Sequence, residues 1–292
     1  MFQGVYTALI TPFRRDETID EEALRRLVQA QIEAGVAGLV PMGTTGESPT
    51  VTHEENLRVV EIVIDEAAGK IPVIAGTGSN STAEAVDMTR KAKALGASAS
   101  LQVAPYYNKP SQEGLYRHYM TIAETVDVPM VVYNIPGRTG RNIETATLGR
   151  LAERPNIVAV KEASGSIPQM MEVLTDLPES FDVLSGDDNL AFSLTALGGR
   201  GVISVASNLV PAKMVSVVDG VLKGELARAR AAHFDLLPLF RAILSVDTNP
   251  VPIKYMLHRA GDCEEVYRLP MAPLSDENKA GVDALLSRYG IA

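Results

Sequence analysis

Short apolar segments rich in Val, Ile, Ala and Gly return along this chain roughly every 25 to 30 residues, with helical patterns between them. Eight are recognisable: Val5–Thr11, Gly38–Gly43, Pro72–Gly78, Ala99–Tyr106, Met130–Ile135, Ile157–Glu162, Asp182–Ser185 and Gly201–Ala206. Strands separated by helix-length crossovers pair in parallel, because a hairpin turn cannot bring two strands alongside in the same direction. Most of the segments are continuous apolar runs, as expected when helices cover both faces of a parallel sheet. Eight such units predict an α/β fold, a (β/α)₈ barrel over residues 1–208. The remaining residues, 209–292, carry helical periodicity in Ala212–Leu222, Glu225–Phe240 and Asn278–Tyr289 and read as a C-terminal helical appendage. No low-complexity linker separates the two parts, so a single structural unit is expected, and 292 residues suit one barrel.

Helix punctuation supports this parsing. Thr52 with Glu55, and Ser81 with Glu84, have the spacing of capping boxes. Gly35, Gly69 and Gly96 stand where helices should end before the next strand.

Composition removes several function classes. A net charge of −9 opposes a phosphate-tracking role, since nucleic-acid binders cluster Lys and Arg. Cys263 is the one cysteine, which excludes an intrachain disulfide and a multi-thiolate metal site. The opening residues Met1–Tyr6 lack a basic segment followed by an apolar one, and no later stretch approaches eighteen unbroken apolar residues, so a cytoplasmic protein is expected. Asn80-Ser81-Thr82 matches a glycosylation sequon but reads here as a helix start.

In a barrel of this kind chemistry sits at the C-terminal strand ends. Lys161 closes the apolar run Ile157–Val160, and lysine is rarely buried without a partner or a task. Burial disfavours an ammonium, and a neutral amine can attack a ketone to form an imine and then an enamine. The alternative is a lysine that snorkels to solvent or pairs with Glu162. The other lysines fall in helical or linking segments (Lys70, Lys91, Lys93, Lys213, Lys223, Lys254 and Lys279) or in a loop (Lys109). Tyr133 ends the fifth run as Lys161 ends the sixth, so adjacent strands bring the two together, and a phenol can shuttle the protons of imine formation; otherwise it is a half-buried strand aromatic. Arg138 offers a fork suited to a carboxylate, or is a solvated loop arginine. Gly43-Thr44-Thr45-Gly46 lacks the Lys-Ser/Thr ending of a phosphate loop, and Gly76-Thr77-Gly78 lacks the third glycine of a dinucleotide fingerprint. The hydroxyls and N–H groups of the former suit a small carboxylate, unless it is only a strand-to-helix turn. His53-Glu54-Glu55-Asn56-Leu57 begins like a zincin helix, but Leu57 replaces the second histidine. Asp187-Asp188 reads as a helix cap in preference to a metal site. Neither a metal nor an external cofactor is expected.

Three segments taken together, Gly43–Ser48, Tyr133–Gly140 and Val160–Ala163, closely resemble the dihydrodipicolinate synthase family. Ile71–Gly78, Pro105–Asn108, Leu184–Asp188 and Gly201–Ser204 are similar to it in the same order, so the likeness spans nearly the whole chain. The resemblance implies a lyase that condenses pyruvate with aspartate semialdehyde, on the route to diaminopimelate and lysine. It implies Lys161 as the imine-forming residue and a proton relay of Thr44, Tyr133 and Tyr107, with Tyr107 reaching into a partner's site. It implies Thr45 on the pyruvate carboxylate, Arg138 on the semialdehyde carboxylate, and backbone contacts from Gly186 and Ile203. A homotetramer built as a dimer of dimers is also implied. Ser48, His53, Asn80, Glu84 and Tyr106 match the positions that bind lysine in feedback-inhibited members; Pro49 and Asn56 depart from the alanine and histidine common there, which predicts weak or absent inhibition. N-acetylneuraminate lyases and keto-deoxy sugar-acid aldolases share the lysine and the Tyr-Asn-Ile-Pro core but typically lack the arginine after it. A non-catalytic sensor on the same scaffold is the alternative from another class.

Overall fold

The computed structural model describes residues 1–291; Ala292, at the end of the expected appendage, lies outside the described residues. The eight strands are β1 (Gly4–Ala8), β2 (Gly38–Val40), β3 (Ile74–Gly76), β4 (Ala99–Val103), β5 (Met130–Asn134), β6 (Ile157–Glu162), β7 (Asp182–Ser185) and β8 (Gly201–Ser204). All pair in parallel in the order β2-β1-β8-β7-β6-β5-β4-β3. The remaining gap is closed where Leu39 N donates to Pro72 O and Gly76 N to Pro41 O, each at 3.0 Å. The expected barrel is therefore present.

Between the strands run α1 (Glu21–Glu33), α2 (His53–Ala67), α3 (Thr82–Ala94), α4 (Gln112–Thr125), the short α5 (Pro136–Thr139), α6 (Thr145–Ala152), α7 (Ile167–Asp176) and α8 (Asp188–Ala196). Gly35, Gly69 and Gly96 adopt positive φ at helix ends as expected. The Thr52–Glu55 capping box is complete. The second box is only half made: Ser81 Oγ accepts from Glu84 N, but the Glu84 carboxylate turns to the Ser79 hydroxyl at 2.8 Å.

Six strands end earlier than their apolar runs. Leu9, Ile10 and Met42 lie beyond β1 and β2 yet stay buried, so hydrophobicity does not fall where ladder pairing stops. Inside the barrel Tyr6, Val40, Ile74, Leu101, Val131, Leu184 and Ile203 pack on one another, making a filled core with chemistry possible only at the mouth. The outward strand faces bury against the helices, with Val5, Leu39 and Val202 meeting Met214, Val217 and Phe240.

After β8 come α9 (Pro211–Leu222), α10 (Leu226–Ser245), α11 (Val251–Ala260) and α12 (Asp276–Arg288). Helix α11 has no counterpart among the expected helices. Every residue from Val251 to Leu257 is buried, so it lacks the polar stripe that makes helical periodicity visible. Its start brings Asn249 to Thr45 and Lys254 to Glu47. Among the described residues, no helix is long and apolar enough to cross a membrane.

Candidate active site

Lys161 is paired in register with Tyr133 on β5 and Leu184 on β7. It is 4% exposed, and its Nζ rests 4.1 Å from the Tyr133 ring centroid, a cation–π contact. Glu162 alternates to the opposite face, where it accepts from Ser164 N at 2.6 Å and Asn134 Nδ2 at 3.0 Å. Pairing with Glu162 and snorkelling into solvent are thereby both removed as readings of Lys161. Beside the lysine stem, a Cβ at Gly186 would lie 3.1 Å from Lys161 Cε and 2.6 Å from Ala163 Cβ. The absence of a side chain at Gly186 is what admits the lysine. Ile203 is fully buried in the interior cluster that also holds Tyr133 and Leu184.

Asp187 and Asp188 follow β7 but do not cap α8 as expected. Asp187 occupies the N-cap position without a side-chain cap bond. Asp188 Oδ2 instead accepts from Val205 N at 3.0 Å and Ala206 N at 2.9 Å, tying the end of β8 to α8. Burial raises the carboxyls of both residues, Asp187 to about 6, with the charge of Lys161 acting in the opposite direction. Among the described residues, no group of three or more His, Cys, Asp and Glu is placed to hold a metal ion.

Thr44 and Thr45 sit in a 3₁₀ turn, Thr44–Gly46. Two non-glycine residues in the left-handed region bracket it, Met42 at φ 59° and Glu47 at φ 54°. Each such residue costs roughly 1–2 kcal/mol and needs its surroundings to hold it. At the Met42 end Gly76 supplies the room: a Cβ there would fall 2.0 Å from Met42 O. Arg138 is exposed on α5, and its Nη2 donates to Asn249 O at 3.0 Å. Tyr107, also left-handed at φ 71°, is 90% exposed.

A cavity of about 400 Å³ opens at the mouth and brings Thr44, Tyr133 and Arg138 onto one wall with Ser48, His53, Glu84 and Tyr106. Partial burial, followed by the charge of Glu84, raises the Tyr106 phenol above its ordinary range. Lys161, Thr45, Gly186, Ile203, Asn80 and Tyr107 are not part of that wall. Lys161 lies instead against the ring of Tyr133, which is. Asn80 borders the site by donating from Nδ2 to Tyr106 O at 3.1 Å.

The dihydrodipicolinate synthetase family model matches residues 1–289. The chain belongs to that family. Over 291 residues it is 50% identical to a 4-hydroxy-tetrahydrodipicolinate synthase of Pelobacter propionicus, covering 100% of both chains. The dihydrodipicolinate synthase of Aquifex aeolicus superposes with a TM-score of 0.97 at 45% identity, covering 99% of each chain. The chloride-inhibited enzyme from Acinetobacter baumannii, complexed with pyruvate, gives 0.98 at 41% identity and 100% of each.

One part of this dihydrodipicolinate synthetase family member is poorly signalled by its sequence. Lys254, grouped by sequence with the ordinary helical lysines, has no exposed side chain and is more deeply buried than Lys161. Its Nζ donates to Glu47 Oε1, 4.3 Å from the Phe13 ring centroid. Burial lowers its ammonium from the ordinary lysine range, and Glu47 opposes that. The only cue was a lysine inside an otherwise apolar stretch, Val251–Leu257. Asn249, which donates from Nδ2 to Thr45 Oγ1 at 3.0 Å, carried no cue at all.

Proposed function

We propose that this chain condenses pyruvate with L-aspartate 4-semialdehyde, the reaction of 4-hydroxy-tetrahydrodipicolinate synthases, through an imine on Lys161. The observation that carries the reading is a buried amine laid on the ring of Tyr133 at a barrel mouth, in a chain whose full-length relatives bear that name. The Lys161 amine attacks the pyruvate ketone, water leaves from the carbinolamine, and loss of a methyl proton yields the enamine. The enamine carbon adds to the aldehyde, which takes up a proton to become a hydroxyl. The substrate's own amine then displaces the lysine, closing the ring and freeing the product.

Within this reading Tyr133 and Thr44 move protons on and off the carbinolamine, joined by Tyr107 from a partner subunit. Support for the last is its position: a tyrosine standing almost free in one chain has its phenol available to a second copy. Thr45 holds the pyruvate carboxylate, and Gly186 and Ile203 supply backbone contacts around the reacting lysine. The assembly is a homotetramer, a dimer of dimers, which sedimentation in solution reads directly; the protein works in the cytoplasm without an external cofactor. The test of the whole is borohydride reduction in the presence of pyruvate, then mass mapping of the modified peptide: the adduct is expected on Lys161.

Arg138 takes the carboxylate of the semialdehyde. A charge-assisted pair is worth about 1.5–3 kcal/mol, so Arg138→Ala should raise KM for the semialdehyde roughly 10- to 100-fold with pyruvate KM little changed. An unchanged semialdehyde KM would move the reading toward a sugar-derived aldehyde.

Ser48, His53, Asn80, Glu84 and Tyr106 form a site for L-lysine, its ammonium toward Glu84. Four of the five share the cavity wall with Thr44 and Tyr133, which gives a bound amino acid a route to the catalytic groups. Pro49 and Asn56 also line this cavity and weaken the fit. L-lysine titrated at fixed pyruvate should slow turnover only at high concentration, and a flat curve would end the assignment.

A further inference from the structure

The turn that carries Thr44 and Thr45 is anchored from the far end of the chain. Strained backbone such as that of Glu47 persists only where neighbours over-determine it, and here they are identifiable. The Glu47 carboxylate is buried, with Oε1 bound by Lys254 Nζ and Oε2 accepting from Arg268 N at 3.4 Å. Thr11 Oγ1, at the end of the first strand's run, donates to Gly46 O at 2.7 Å. A buried ion pair is poor evidence of stabilisation, because desolvation offsets the attraction. What this pair does secure is the place of Glu47, two residues beyond Thr45.

Asn249 acts from the other side. A hydroxyl offers one proton and can accept as well. With the amide nitrogen of Asn249 donating to Thr45 Oγ1, the threonine keeps its own proton to give to a ligand carboxylate. The backbone carbonyl of Asn249 separately accepts from Arg138 Nη2.

We propose that Asn249, through the Thr45 hydroxyl, and Lys254, through Glu47, are positioning residues for pyruvate supplied by the segment that follows the barrel. The proposal rests on the reading of Thr45 as the group that holds the pyruvate carboxylate. It predicts an uneven kinetic effect. Asn249→Ala removes the amide but keeps the carbonyl that Arg138 uses, so pyruvate KM should rise about five- to tenfold. The pyruvate concentration giving half-maximal borohydride trapping should move with it, while kcat at saturating pyruvate and the semialdehyde KM stay within about twofold. The paired variant Glu47→Gln with Lys254→Met removes both buried charges together and should show the same split.

Unchanged pyruvate KM in Asn249→Ala overturns the proposal, as does a uniform loss of kcat with both KM values preserved. Should the paired variant not fold, Asn249→Ala decides alone. The two readings fail differently: wild-type protein that traps no pyruvate on Lys161 sinks the functional assignment, whereas normal trapping with indifferent Asn249→Ala kinetics sinks only the positioning role.

Discussion

Lys161→Ala is expected to abolish the borohydride-trapped pyruvate adduct and to lower kcat on the order of 10⁴-fold or more, the scale seen when the covalent nucleophile of an enzyme is deleted. The fold should survive, since among the described residues the lysine makes no salt bridge, and its stem lies against Gly186 and its amine on the Tyr133 ring. The protein contains its own control. Lys254 is buried even more completely, but its nitrogen is committed to Glu47, whereas that of Lys161 rests on the ring of Tyr133, which lines the mouth cavity. If burial alone made a lysine reactive, Lys254 would be trapped as well; the proposed role of Lys161 rests on its place against Tyr133. An adduct that persists in the variant, on Lys254 or any other lysine, would refute the assignment.

Lys254→Met should have the largest effect on stability. Among the described residues it leaves the buried Glu47 carboxylate with the Arg268 N–H at 3.4 Å as its one hydrogen-bond donor. Stranding one member of a buried pair costs about 3–5 kcal/mol, which for a chain of this size lowers Tm on the order of 10 °C. Denaturant titration at one chain concentration should show a lower midpoint with the slope unchanged. A loss under about 1 kcal/mol would mean that the neighbourhood can satisfy or neutralise the lone carboxylate. Adding Glu47→Gln should recover much of the stability, because both charges then leave together. Recovered stability without recovered pyruvate affinity would separate the pair's structural contribution from its effect on the turn.

The sequence made some parts of this molecule plain and others invisible for physical reasons. Continuous apolar runs announced the parallel strands because both sheet faces are covered, and Lys161 stood out because a charge ends such a run. The strand ends were less legible: Leu9, Ile10 and Met42 are as buried beyond the ladder as the strand residues within it. Helix α11 gives no periodic signal because its first seven residues, Val251–Leu257, are all buried, leaving no contrast between faces. Lys254 was hidden with it. Contacts of long separation had no local trace either; Asn249 meets Thr45 across 204 positions of chain. The turn Thr44–Gly46 could be read from its residues, but the left-handed backbone of Glu47, a residue type with no preference for it, could not.

Among these features the anchor from α11 bears on how small such a catalyst can be made. Cut after the eighth strand, the scaffold would retain each group proposed to meet either substrate. It would also lose the floor under the residues that grip the keto acid. A shortened, grafted or permuted version should then fail first as a weak binder of its smaller reactant, with its nucleophile intact, and engineers trimming this architecture would have to rebuild that support before touching the mouth.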